Sequence, residues 1–152
     1  MANRGFTLIE LIVTITLVAV LMTVAVPRFS NTTSIARASL VQAMAGTVNS
    51  VANQIHLVWA ATSGDMGGVP ITLSGGTVVH VFNGYPDAGN CCSPTGIENA
   101  VNSSGFTVNP FVNSHTRWSV TNAPDPTKCQ VTYQEAATAG AVFLVTTDTT
   151  GC

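Results

Sequence analysis

The chain has 152 residues, 46% of them hydrophobic and only 8% charged, with a formal net charge of −2. That length fits one globular domain, and the five basic residues (Arg4, Arg28, Arg37, Arg117 and Lys128) are scattered. Nucleic acid is therefore not expected as a partner, because phosphate binding needs clustered Arg and Lys.

The first decisive feature is an apolar run over residues 6–26, FTLIELIVTITLVAVLMTVAV, in which Glu10 is the one charged residue. As a helix rising about 1.5 Å per residue it spans roughly 30 Å, the thickness of a bilayer hydrocarbon core. Its other polar members are mostly threonines, whose hydroxyls can bond back to helix carbonyls. Arg4 precedes the run and keeps the N-terminus cytoplasmic by the positive-inside rule. An ordinary signal peptide is a poor fit, because a convincing A-x-A cleavage site is missing after the run. A plain anchor leaves Glu10 unexplained, since a carboxylate at the centre of a spanning helix costs about 2.5–3.5 kcal/mol on insertion scales.

Beyond Arg28, apolar residues recur at Leu40, Val41, Met44, Val48, Val51, Ile55, Val58 and Trp59. Steps of three and four mark one helical stripe, so a single helix is expected over about 7–60, its second half packed under a sheet. Pro27 removes an N–H and crowds the Thr23 carbonyl, which predicts a kink or local melting there. A Gly-rich loop from residue 62 ends the helix. Short strands follow at 77–82, 116–121, 129–134 and 141–147, the last two as a hairpin. Thr95 and Glu98 have capping-box spacing and predict a short helix to about Asn102. The fold class is α+β: a long N-terminal spine helix on a small antiparallel four-stranded head.

Gly5-Phe6-Thr7-Leu8-Ile9-Glu10 closely resembles the processing site of type IV prepilins. The resemblance implies that a prepilin peptidase cuts after Gly5 and that the new N-terminal residue, Phe6, is N-methylated. It places Glu10 at the position of the family's carboxylate, five residues into the mature chain, and Pro27 where many of these pilins carry a proline. Residues 1–5 are then a leader, 6–27 a membrane and assembly helix, 28–61 its amphipathic continuation and 62–152 the head. Short segments such as Pro27-Arg28-Phe29, Ala36-Arg37-Ala38, Gly84-Tyr85-Pro86 and Cys129-Gln130-Val131 resemble the mannose-sensitive haemagglutinin group. The implied function is a structural subunit held in the inner membrane, then polymerised with copies of itself by the pilus assembly machinery into an extracellular fibre. A secretion pseudopilin and a ligand-binding minor pilin are the alternatives. Glu10 has a physical reason to be there. Cleavage creates a Phe6 ammonium, and a neighbour's Glu10 would cancel it in hydrocarbon, where an unpaired charge is expensive. Glu10 could also serve its own first helical turn.

Cys91, Cys92, Cys129 and Cys152 form no C-x-x-C pair, which argues against zinc and for disulfides formed outside the cytoplasm. Adjacent Cys91 and Cys92 have Cα atoms about 3.8 Å apart, too close for an ordinary disulfide. Two crossed pairings with Cys129 and Cys152 are then expected, and sequence does not choose between them. The rival, a strained Cys91–Cys92 pair with Cys129–Cys152, resembles the C-terminal disulfide loop of some pilins. His56, His80 and His115 lack paired metal-ligand spacing, and no nucleophile-elbow motif occurs. Asp125 and Asp148 are candidate calcium ligands, but their oxygens are not clustered with others in the sequence. Neither catalysis, a metal nor a cofactor is expected.

Overall fold

The computed structural model describes residues 6–62, 64–65, 67–88, 95–110 and 114–152, leaving aside the side chains of 26–31. Two compact units are distinguished, Met1–Ala36 and Arg37–Cys152. One helix, α1 (Leu8–Thr62), contributes residues to both.

In the first unit, Thr7 starts the helix: its hydroxyl accepts the Glu10 N–H (3.4 Å) and its carbonyl the Leu11 N–H (3.2 Å). Capping of this kind satisfies donors that the first turn otherwise leaves open. Leu8–Ala25 has a mean hydropathy of 2.5, is long and apolar enough to cross a membrane, and has no residue buried within the protein. Thr14, Thr16 and Thr23 donate their hydroxyls to the carbonyls of Leu11, Val13 and Val20, so these three hydroxyls are satisfied locally. The backbone stays helical through Pro27, and the expected melting is absent. A proline removes one ladder bond, which a long apolar helix can tolerate. The expected kink falls where side chains lie outside the described residues.

In the second unit, α1 buries Val41, Met44, Val48, Ala52, Ile55 and Trp59. Those steps of three and four confirm the helical stripe and refine it. Leu40 and Val58, placed on the stripe by sequence, are 52% and 37% exposed, and Ala52 replaces them. A periodicity argument weights large residues and overlooks an alanine at which helix and sheet come close.

The head is two antiparallel sheets rather than the single four-stranded sheet expected. The first contains β1 (Val69–Thr72), β2 (Val78–Phe82) and β3 (Tyr85–Pro86) in the order β1-β2-β3. The second contains β4 (Phe106–Asn109), β5 (His115–Val120), β6 (Gln130–Gln134) and β7 (Leu144–Asp148) in the order β4-β5-β6-β7. The expected β6–β7 hairpin is present, with Tyr133 opposite Val145. Asn83 (φ 53°) and Gly84 (φ 89°) turn β2 into β3. This Asn-Gly pair adopts the left-handed backbone that two-residue hairpins require. A Cβ at Gly84 would sit 3.0 Å from the Trp59 ring, so glycine also lets helix and turn touch.

Two apolar clusters anchor the sheets on α1. Ile55, Trp59, Ile71, Val79 and Val81 lie under the first sheet. Val41, Met44, Val48 and Ala52 pack with Trp118, Val131, Tyr133 and others under the second. Full burial of each large aliphatic side chain contributes about 1.5–3 kcal/mol. Ring contacts link helix to sheets: Trp59 to His56 (5.4 Å), His56 to Tyr85 (4.4 Å), Tyr85 to Phe143 (5.0 Å) and Phe143 to Tyr133 (5.6 Å).

The short helix predicted near Thr95 is one 3-10 turn, Ile97–Asn99, with Gly96 rather than Thr95 at its N-cap. Half of the capping box forms, in that Glu98 reaches back to the Gly96 N–H (3.0 Å). The Thr95 hydroxyl is drawn away to His80.

Both crossed disulfide pairings are overturned. Cys129 is bonded to Cys152, with Cα atoms 4.9 Å apart. Cys129 immediately precedes β6 and Cys152 follows β7. Pairing of Gln130 with Asp148 closes that end of the hairpin and brings the two sulfurs within reach. Adjacency disfavours a Cys91–Cys92 bond but does not decide which cysteines meet, and the hairpin imposes the proximity of Cys129 and Cys152. Cys91 and Cys92 themselves lie outside the described residues.

Candidate functional site

The sequence-derived site is the start of the chain. Gly5 lies outside the described residues, whereas Phe6 is 75% exposed just ahead of α1. Glu10 stands in the first helical turn, where a carboxylate is favoured by the helix dipole. Its backbone N–H is capped by Thr7, but among the described residues nothing holds its exposed carboxylate. Among the described residues, the chain therefore presents an acidic group at the edge of an apolar surface with no counter-charge beside it. Such an arrangement is costly in hydrocarbon until a cation arrives from elsewhere.

Asp125 and Asp148, the candidate calcium ligands, are instead turn-formers. Asp125 accepts from the Thr127 N–H (3.1 Å) and hydroxyl (2.6 Å), and Asp148 likewise from Thr150 (3.0 and 2.7 Å). These hydrogen bonds hold both carboxyls below their ordinary range.

Sequence reasoning missed a buried acidic junction. Asp87 is fully buried directly after β3, and Glu135 is 3% exposed directly after β6. Glu135 accepts the Ala88 N–H (2.8 Å), which joins the segment after β3 to the second sheet. Nearby, Tyr133 donates its hydroxyl to the Pro86 carbonyl (2.8 Å), and Asn83 donates to the Ala136 carbonyl (2.9 Å). Asp87 also bonds through its backbone to His80 and Ile97. Burial, and then the hydrogen bond with Asp87, push the Glu135 carboxyl up to about 7. Asp87 and Glu135 are 48 positions apart in a chain with seven acidic residues, and no local pattern signals their pairing.

A pH dependence follows, with a definite sign. The unfolded chain releases this proton near the ordinary glutamate value of about 4.3, whereas the folded chain keeps it to about 7. Between those values the folded state binds more protons, so stability falls as pH rises from about 5 to 8, by something on the order of 2 kcal/mol. Glu135→Gln preserves an acceptor for Ala88 and supplies a permanent donor towards Asp87. Thermal melts of the variant are expected to lie above wild type at pH 8 and to lose the slope. Parallel profiles for the two proteins would refute Glu135 as the source of the slope.

The prokaryotic N-terminal methylation motif matches residues 1–26 of this chain. No curated protein and no solved structure matches it. The α+β layout, with helix 37–62 packed on small antiparallel sheets, is like that of type IV pilins. Motif and apolar helix together fit membrane insertion and prepilin processing, and indicate a structural subunit rather than an enzyme. They support a type IV pilin-type protein, either pilin or pseudopilin.

Proposed function

We propose that this chain is the structural subunit of an extracellular type IV pilus, stored in the inner membrane and polymerised through its N-terminal helix. It would serve adhesion, surface motility or aggregation. The observation that carries the reading is the conjunction of Gly5-Phe6 and Glu10 with an unburied apolar helix. Gly5 offers the peptidase an unobstructed cleavage point, Phe6 becomes the methylated N-terminus, and Glu10 pairs with a neighbour's ammonium. Pro27 bends the helix where the apolar segment ends. The head's neutral surface, rich in Thr, Ser and Asn, suits a long fibre exposed to the medium better than a short periplasmic piston. The resemblance of the segments quoted above supports membership of the mannose-sensitive haemagglutinin group.

N-terminal mass analysis of the processed protein is expected to find N-methylated Phe6, and Gly5→Leu to leave precursor in the membrane. Cleavage near Ala25 would sink the reading. Surface fibres that vanish when the chain is deleted separate a pilus from a secretion pseudopilus.

A further inference from the structure

The outer face of the four-stranded sheet carries a polar cleft of ≈ 540 Å³, walled on one side by Pro126 and Thr127. Its volume lies within the range of small-ligand sites. Strand alternation builds its floor. Arg117 on β5 lies opposite Asn109 on β4 and Thr132 on β6, and Ser119 lies opposite Thr107 and Gln130. Arg117 is half-buried, yet no carboxylate among the described residues forms an ion pair with it. The nearby acids are otherwise engaged: Asp125 pairs with Lys128 (3.6 Å), and Asp148 holds Thr150.

The lining supplies N–H donors from three side chains, Arg117, Asn109 and Gln130. Gln130 accepts the Ser119 hydroxyl on its side-chain oxygen (3.4 Å), which leaves its amide N–H groups to donate. Arg117 offers five N–H donors in a planar fork, and Asn109 adds an exposed amide. A half-buried guanidinium without a counter-charge fits a carboxylate, which it can grip with two parallel hydrogen bonds. No aromatic ring lines the cleft, so a stacked base is a poor fit. Apart from Pro126, the rest of the lining is hydroxyl and amide, suited to a ligand that is itself rich in hydroxyls. An acidic peptide would want apolar pockets or a free strand edge, whereas this is the face of a sheet.

We propose that this cleft binds a carboxylate-bearing saccharide, Arg117 holding the carboxylate while Asn109, Thr107 and Thr127 meet the sugar hydroxyls. The assignment uses residues of the second unit alone and is independent of fibre formation. Trigalacturonate and its fully methyl-esterified form share one skeleton and differ in charge, and so serve as probes. In calorimetric titration of the full chain in non-ionic micelles at low salt, the acid is expected to bind at least about tenfold tighter than the ester. Arg117→Gln should reduce the acid to the level of the ester, and Arg117→Lys, which keeps the charge without the fork, should fall between. Unchanged melting temperatures establish that both variants fold. Equal binding of acid and ester, no binding of either up to about 10 mM, or a preference that survives Arg117→Gln would each overturn the assignment.

Discussion

Cells expressing only Glu10→Ala are expected to insert and cleave the subunit normally and to assemble almost no fibres. Insertion should not suffer, because the substitution makes Leu8–Ala25 more apolar. What disappears is the one acidic group of the apolar run, the proposed partner of an ammonium at Phe6. Removing one member of a buried charge pair costs about 3–5 kcal/mol. Each tenfold loss of affinity corresponds to 1.4 kcal/mol, so every subunit addition weakens by a factor of about 10² or more. Growth needs many successive additions, and a penalty of that size at each one stops it. Thr7 continues to cap the helix through its hydroxyl, so the defect would not come from a frayed first turn. Glu10→Gln should be nearly as severe, since an amide cannot neutralise a cation. The measurement compares sheared fibre with the cleaved membrane pool, and a normal fibre yield from Glu10→Ala would exclude intersubunit pairing.

The second large effect concerns the C-terminal bridge. Replacing Cys129 and Cys152 together with alanine is expected to lower head stability by about 3 kcal/mol, chiefly through the greater freedom of the unfolded chain. The bond closes a loop of sequence separation 23. Both cysteines sit in the larger apolar cluster, at 0% and 7% exposure, so truncation also leaves a small void. Arg37 donates to the Cys152 carbonyl (3.1 Å), and loosening Cys152 would weaken that tie to α1 as well. A fall of roughly 10 °C in melting temperature is the expected reading. Non-reducing peptide mapping of the wild type should recover Cys129 joined to Cys152. An unchanged melt, or Cys129 recovered with Cys91 or Cys92, would contradict this account.

The elements with strong periodicity were legible in the sequence. The helix predicted over about 7–60 is Leu8–Thr62, and the strands around Val79, Trp118, Val131 and Val145 all formed. What escaped were pieces too short to carry a period. β1 contains a proline, which argues against a strand but is tolerated at the sheet edge it occupies. β3 has two residues, and its Asn83-Gly84 hairpin signal went unused. β4 alternates only between half-buried and exposed positions. The N-terminal motif is local and could be read directly. Head features that depend on distant residues meeting, namely the Asp87–Glu135 junction, the Cys129–Cys152 bridge and an Arg117 with no ion pair among the described residues, needed the fold.

The division of the apolar core into two clusters has a mechanical consequence. Among the described residues, five buried side chains hold β1-β2-β3, whereas thirteen hold the disulfide-bridged sheet. Local opening free energies follow such differences in buried contacts. The smaller sheet, with the last turns of α1 around Ile55 and Trp59, should therefore open first. Its release would not require the turns around Val41 and Val48 to let go. Hydrogen–deuterium exchange should show β1 and β2 amides labelling well before those of Trp118 and Val131, and simultaneous labelling would mean one cooperative unit. A subunit under tension would then yield in two stages, with an early reversible give before the bridged sheet carries the load.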